Sequence, residues 1–374
     1  MFEGKKLGFG LMRLPLTDAN DKGSIDIEAL KEMVDTFIEQ GFTYFDTAWM
    51  YCAFKSENAV KEALTDRYPR DRYTLTTKLH ASYLEAKEDR DRIFEEQRQK
   101  TGVDYFDYYL IHAIDQELYS IYNKMDCFNW LIEKKKQGLV KHIGFSYHDS
   151  AEFLDQVLTE HPEMEFVQLQ INYADWENPA IQSRGCYEVA RKYGKPVIIM
   201  EPVKGGMLAT PPESVVKVLK DAEPESSVAS WAVRFAANLE GVITVLSGMS
   251  NVEQMKDNLS YMKDFNGLND AQMQTLKQAQ EELNKIPLIP CTTCNYCAKV
   301  CPMQIGISGS FTAMNSLTLY GDKDMALHQE NWLVGGHGLK RANECVKCGK
   351  CEEACPQHIQ IRAELERVSE NLLK

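Results

Sequence analysis

Apolar and polar positions follow two rhythms along the first three quarters of the chain. Short apolar runs of strand length recur at 7–10, 43–46, 74–79, 107–111, 141–146, 166–171, 197–201 and 242–246. Between them, apolar positions repeat at helical spacing, as at 56–64, 85–100, 128–137, 151–159 and 181–193. The helix after the first strand is marked at both ends. Asp26 stands as its N-cap, Leu30, Met33, Val34, Phe37 and Ile38 form one apolar face, and Gly41 follows just past its end. Regular strand–helix alternation implies a parallel sheet, and eight such units predict an α/β fold of the (β/α)8 TIM-barrel type. A doubly wound open sheet is the competing architecture, but LGFGLM does not supply its glycine fingerprint.

The rhythm changes near the C-terminus. A last amphipathic helix at about 270–285 is followed by IPLIP, whose Pro287 and Pro290 predict a linker. Beyond it lie helix-compatible stretches at 309–319 and 323–330. Two domains are expected, a barrel over 1–285 and a small, mainly α-helical domain over 286–374.

Several predicted strands end in residues that carry chemistry. The run at 43–46 stops at Asp46, with Tyr51 five positions on; TLTTKL carries Lys78 and YYLIH carries His112. A carboxylate, a phenol, an ammonium and an imidazole at the ends of three successive strands would meet at one mouth of a barrel. Later strands bring Ser146, Gln168 and Asn172, Glu201, and Ser247 with Gly248 to the same face. Gly205 and Gly206 would serve either as a simple turn or as a close approach to a cofactor phosphate. Trp49, Phe54, Tyr83, Tyr173 and Trp176 fall in loops near that mouth, and Cys52 is expected to be a packed thiol.

Composition narrows the classes of partner. A net charge of −13 argues against nucleic acid, whose phosphates would repel it, and leaves a basic redox partner open. No apolar run reaches the length of a membrane span, and no signal-peptide pattern is seen at the N-terminus. Eight of the eleven cysteines crowd into the last quarter, which is not the spread of a disulfide framework and suggests a reducing, cytoplasmic compartment.

Those eight form two runs, Cys291, Cys294, Cys297, Cys301, Pro302 and Cys345, Cys348, Cys351, Cys355, Pro356. In C-x2-C-x2-C-x3-C-P, three thiolates wrap one cubane while the fourth reaches the cluster of the other run. Cys291, Cys294, Cys297 and Cys355 would hold one [4Fe–4S] cluster, and Cys345, Cys348, Cys351 and Cys301 the other. Zinc is the alternative, since four thiolates also suit it. A zinc site needs only paired C-x2-C knuckles, so the extra cysteines and prolines, given twice, favour iron–sulfur.

FDTAWMY, TTKL, LIH, KHIGFS, VQLQINY and EPVKGGML together resemble the aldo-keto reductases over roughly 1–285, and the tail resembles dicluster ferredoxin modules. The resemblance implies a catalytic tetrad of Asp46, Tyr51, Lys78 and His112, and a nicotinamide cofactor at the carboxyl face of the barrel. It also implies cofactor contacts from Ser146, Gln168, Met200, Pro202, Gly205, Gly206, Ser247, Gly248 and Asn258. Met200 stands where the family usually has an aromatic residue, and Tyr147 where an asparagine usually follows the serine. Gly248 and Gln254 replace the basic residues that commonly grip the 2′-phosphate. NADP and NAD both stay open, with a flavin as a further alternative.

The residue types suit reduction of a carbonyl, or oxidation of an alcohol, in a small molecule. Tyr51 would act as general acid, Lys78 would tune it, Asp46 would hold Lys78 and His112 would orient the carbonyl oxygen. An ammonium about 4 Å from a phenol favours phenolate by roughly 4 kcal/mol at an intermediate dielectric, before burial opposes it. Hydride carries two electrons and a [4Fe–4S] centre passes one. A second function is therefore an electron-transfer enzyme whose clusters serve a flavin or radical substrate in the mouth, exchanging electrons with a soluble partner. A redox or iron sensor is the non-enzymatic alternative.

Overall fold

The computed structural model describes residues 4–374 apart from Asn20, Ala180, Thr292, Cys294 and Pro356. Eight parallel strands close into one barrel in sequential order, β1 Leu7–Gly10, β2 Tyr44–Asp46, β3 Thr74–His80, β4 Phe106–Ile114, β5 Val140–Tyr147, β6 Phe166–Gln170, β7 Val197–Met200 and β8 Val242–Ser247. Closure is made by β1 against β8, with Leu7 opposite Val245 and Phe9 opposite Ser247. The open doubly wound sheet is thereby excluded. Each strand falls within a few residues of its expected place, because apolar runs bounded by polar loops are what a fully buried parallel strand requires.

The helices follow the pattern less closely. Ile27–Glu39 is capped as expected, Asp26 accepting a hydrogen bond from the Ala29 N–H at 3.0 Å, and its five predicted apolar residues are buried. The helix expected over 85–100 begins only at Asp89, whose carboxylate accepts from the Glu85 and Ala86 amides and so caps a turn instead. The stretch expected at 56–64 splits into an α-helical Ser56–Val60 and a π-helical Lys61–Thr65.

Two packed layers make the barrel. Inside it, Tyr44, Tyr108, Leu110, Phe166, Ile198, Ile243 and Leu246 form a filled core. Outside, Phe9, Phe37, Phe42 and Phe45 interlock with ring centroids 5.3–6.1 Å apart and fix the first helix to the sheet. Gly144 is needed where β5 meets β6, since a Cβ there would lie 2.5 Å from the Phe166 carbonyl oxygen.

The chain packs as two compact units, Met1–Lys204 with Ala229–Asn269, and Gly205–Val228 with Asp270–Lys374. In the second, helices Glu213–Ala222 and Asp270–Asn284 are tied by a 2.6 Å hydrogen bond from Gln272 to Glu223. Further on, Ile307–Tyr320, Lys323–Leu333 and Ile361–Asn371 surround a core of Ile305, Ile307, Phe311, Met314, Leu365 and Val368. The expected linker is pinned rather than loose: Ile289 is buried, and its main-chain N–H and C=O both pair with the Asn315 side-chain amide, at 2.8 and 2.9 Å. A parallel bridge between Ile305 and Lys340 draws the two cysteine runs together. Among the described residues, no helix is long and apolar enough to cross a membrane.

Candidate functional site

Asp46, Lys78 and His112 lie at or near the ends of β2, β3 and β4. Asp46 is the last residue of β2 and is paired in register with Thr76, which places its side chain beside that of Lys78 two residues further along β3. The Lys78 side chain is 1% exposed, and its Nζ donates to Asp46 Oδ1 at 2.5 Å and to the Thr47 carbonyl at 2.7 Å. The same Nζ stands 4.8 Å from the centre of the Tyr51 ring, and that ring meets His112 edge-on at 5.9 Å. The structure therefore brings together all four residues expected from the strand ends.

Tyr51 is presented by an unusual turn. Cys52, Ala53 and Phe54 follow it with φ of +51°, +52° and +67°, three left-handed residues in succession and none of them glycine. Such backbone costs about 1–2 kcal/mol per residue. The turn buries Cys52, whose Sγ lies 3.6 Å from the Met12 carbonyl and whose pKa burial pushes up, so it is an inert thiol as expected. It also sets Phe54 against Trp49 and Tyr83, with centroids 5.0 and 5.6 Å away. Tyr173 and Trp176 pack instead around Phe235.

Charge and burial act in opposite directions here. Burial alone would push the Lys78 ammonium down, but Asp46 and Tyr51 carry it above the ordinary lysine range. Desolvation pushes the Tyr51 phenol up, Lys78 pulls it down, and the net direction is upward. The acidifying effect expected of Lys78 is thus present but outweighed by loss of solvent. Burial, then Lys78, hold the His112 imidazole well below the usual histidine range, so it is neutral, and its buried Nδ1 has no hydrogen-bond partner.

The remaining expected contacts divide. Ser146 and Gln168 are register partners on β5 and β6 and are both buried. Ser146 Oγ accepts from the Ala113 amide at 2.7 Å, which leaves its proton to donate, and Gln168 Oε1 is buried without a partner. One donor beside one orphaned acceptor suits a carboxamide, so these residues fit the nicotinamide group. Met200 ends β7 and is half-buried, with Pro202 buried just beyond. Asn258 is engaged at both ends, donating to Ser247 Oγ at 2.6 Å and accepting from the Tyr261 hydroxyl. Asn172 is bound to Asp175 at 2.9 Å, and Gly248 is exposed. In the second unit, Gly205 and Gly206 have φ of +68° and +106°, the left-handed backbone of a turn.

Four residues were missed by the sequence. Arg13 sits 3.5 Å from Glu201 and adds its charge to those acting on Tyr51. Tyr122 splices the strand ends, its hydroxyl accepting from the Ala81 amide at 2.9 Å and meeting the His112 carbonyl at 2.5 Å. Glu57 and Gln97 form a buried polar group behind Lys78. A carboxylate on the apolar face of the 56–64 pattern was the available signal for Glu57.

The cysteines of the second unit surround two cavities. Cys301 from the first run joins Cys345, Cys348 and Cys351 around one of them. Cys355 from the second run joins Cys291 and Cys297 around the other. Cys294 and Pro356 lie outside the described residues. No disulfide joins the described cysteines, and no three described His, Cys, Asp or Glu side chains are close enough to hold a single metal ion.

Comparison with known proteins agrees with this geometry. The Aldo/keto reductase family matches residues 6–281, and the 4Fe-4S dicluster domain matches residues 290–359. An aldo-keto reductase of Mycolicibacterium vanbaalenii is 27% identical over 239 residues, covering 63% of this chain and 77% of its own. Methylglyoxal reductase DkgA of Escherichia coli O157:H7 is 28% identical over 209 residues, covering 46% of this chain and 70% of its own. An aldo-keto reductase from Bacillus halodurans in its holo form superposes with a TM-score of 0.60 at 20% identity, over 74% of this chain and 92% of that one. An aldo/keto reductase from Klebsiella pneumoniae, in complex with NADP and acetate, gives 0.56 at 18% identity, over 73% and 90%. With a closed eight-stranded barrel and a buried Lys78–Asp46 pair at its strand ends, the chain belongs to the aldo/keto reductase family of oxidoreductases, and it carries a 4Fe-4S dicluster domain after the barrel.

Proposed function

We infer that the barrel reduces the carbonyl of a small molecule, or oxidises the corresponding alcohol, with NADPH or NADH. The observation that carries this is the buried Lys78 ammonium, held by Asp46 and set against the Tyr51 ring. Bound nicotinamide would supply hydride to the carbonyl carbon, and the NADP named with the Klebsiella relative supports that choice. Ser146 and Gln168 would hold its carboxamide. The substrate oxygen would take the phenolic proton of Tyr51 as hydride reaches carbon. A phenol raised by desolvation is still more acidic than the alcohol being formed, so proton transfer to the developing alkoxide runs downhill. Lys78 would then stabilise the phenolate left behind, while neutral His112 would orient the substrate oxygen. Asp46 would keep Lys78 charged.

Cys291, Cys294, Cys297 and Cys355 would hold one [4Fe–4S] cluster and Cys345, Cys348, Cys351 and Cys301 the other, which would supply one-electron transfer. On this assignment residues 1–285 carry the carbonyl chemistry and 286–374 the clusters. A soluble redox partner would serve such clusters, and the crowding of the thiols into two runs supports a reducing, cytoplasmic setting.

Asn258 points to a second function, since one N–H and one lone pair of the amide expected to meet an adenine are already engaged within the chain. The clusters would then exchange electrons with a flavin or with substrate in the mouth. Anaerobically reconstituted protein decides between the two. NAD(P)H oxidation driven by a simple aldehyde, lost by about 10²–10⁴-fold in Tyr51→Phe, is expected of the first. Cluster bleaching by substrate without nicotinamide would overturn it in favour of the second.

A further inference from the structure

β2 is three residues long and β3 is seven, so β3 has no strand neighbour on the β2 side beyond Thr76. Lys78 lies in that unpaired length. Its main-chain carbonyl is taken up by a side chain instead, accepting from Gln97 Nε2 at 3.0 Å. Gln97 belongs to the helix Asp89–Thr101 that follows β3, and it is fully buried.

The Gln97 amide is fixed from every side. Tyr109 on β4 donates its hydroxyl to Gln97 Oε1 at 2.6 Å, which sets which way the amide faces. The two N–H groups of Nε2 are shared among three acceptors, the Lys78 carbonyl at 3.0 Å and Glu57 Oε1 and Thr77 Oγ1 at 2.9 Å each. Thr77 donates its own hydroxyl to Glu57 Oε1 at 2.7 Å. Glu57, Thr77, Gln97 and Tyr109 are all fully buried, and Glu57 Oε2 has no hydrogen-bond partner. Because side chains alternate along a strand, Thr77 faces this cluster while Lys78, its neighbour, faces the barrel interior. The cluster therefore grips β3 from behind at the residue that bears the ammonium.

We propose that Glu57 is a positioning residue, which through Thr77 and Gln97 fixes the backbone of Lys78 and so the reach of its ammonium to Asp46 and Tyr51. Glu57 stands six positions after Tyr51 and opens the helix Ser56–Val60 with Ser56, whose hydroxyl pairs with Thr47 at 2.8 Å. The segment that presents the phenol thus also supplies Glu57 to the cluster that holds the ammonium. A buried carboxyl with one oxygen unpartnered is costly to keep, and among the described residues its hydrogen bonds go to Thr77 on β3 and to Gln97.

The proposal rests on the carbonyl-reducing function for its kinetic test. With full-length, cluster-loaded protein, NADPH and 4-nitrobenzaldehyde, Glu57→Ala is expected to lower kcat by about tenfold or more with KM within about threefold, as loss of alignment does. Glu57→Gln, which keeps an acceptor for Thr77 and Gln97, should stay within about threefold of the natural enzyme. Gln97→Met should behave as Glu57→Ala does, and decides the matter if Glu57→Ala does not fold. A second readout needs no cofactor: the ultraviolet difference between each protein and its Tyr51→Phe counterpart reports ionisation of Tyr51. In Glu57→Ala and Gln97→Met that ionisation should move upward, because the ammonium is no longer held near the phenol. Folded variants with kcat within about threefold of the parent and Tyr51 ionisation unmoved would overturn the proposal. If the parent shows no nicotinamide turnover, the carbonyl-reducing function fails, and the Tyr51 titration alone still decides the role of Glu57.

Discussion

Lys78 Nζ meets Asp46 Oδ1 at 2.5 Å, with the two side chains 1% and 4% exposed. Neither charge has access to water, so each depends on the other. Asp46 Oδ2 has no hydrogen-bond partner, and the pair is completed on the lysine side by the Thr47 carbonyl.

Removing one member of such a pair strands the other. Lys78→Met is expected to destabilise the fold by about 3–5 kcal/mol, the usual penalty of an uncompensated buried charge. Adding Asp46→Asn to it should recover much of that loss, since both charges are then gone. Denaturant unfolding of the two variants checks this, and equal stability of single and double variants would show that Asp46 has no need of Lys78. Activity should be lost in both.

The turn after Tyr51 makes a separate prediction. Ala53 is exposed and holds a φ of +52°, in a run of three left-handed residues. Glycine adopts that backbone without the Cβ clash, though it gives up more freedom on folding. Ala53→Gly should therefore raise stability by about 0.5–1 kcal/mol, read as an upward shift in Tm. An unchanged or lowered Tm would mean that the turn carries no such strain.

That turn also marks where the sequence stops being informative. Strand positions were legible because buried parallel strands leave unbroken apolar runs, and Asp46, Lys78 and His112 were legible because each interrupts or ends such a run. Cys52, Ala53 and Phe54 carry no glycine to announce positive φ. Glu57, Gln97 and Tyr122 were hidden for another reason. Their meaning lies in partners 10 to 43 positions away, as Gln97 finds Glu57 and Tyr122 finds Leu79 and His112. Asn258 was legible only by resemblance, and its amide bonds to Ser247 and to Tyr261 three residues on could not be read from the sequence.

Glu57 gives the stability a pH dependence of definite sign. Burial raises its carboxyl to about 7, against an ordinary value of 4.5, with Thr77 and Gln97 opposing the rise. Lys100 from the helix Asp89–Thr101 and Lys78 from β3 are the charged groups that pull it back. The folded protein therefore holds a proton that the unfolded chain has released. Stability due to this group is complete below pH 4.5 and falls as pH rises to about 7. The window spans about 3 kcal/mol at roughly 1.4 kcal/mol per unit. Glu57→Gln cannot ionise, so its stability relative to the natural chain should improve steadily across that window and level off above it. Parallel unfolding curves at every pH would show that the carboxyl does not titrate there.

The crossed grouping of thiols makes the sharpest test in the second unit. Cys301 belongs to the first run by sequence and to the cavity of Cys345, Cys348 and Cys351 by position, while Cys355 is exchanged the other way. If each run held its own cluster, Cys301→Ser with Cys297→Ser would damage one cluster, and Cys301→Ser with Cys345→Ser would damage both. The geometry reverses that order. Cys301→Ser with Cys345→Ser should leave about half the iron and labile sulfide, because both ligands serve one cavity. Cys301→Ser with Cys297→Ser should lose nearly all of it, because each cavity loses a ligand. Iron and sulfide analysis of the anaerobically purified pairs separates the two arrangements, and the opposite ranking would mean that each run keeps its fourth thiolate for itself.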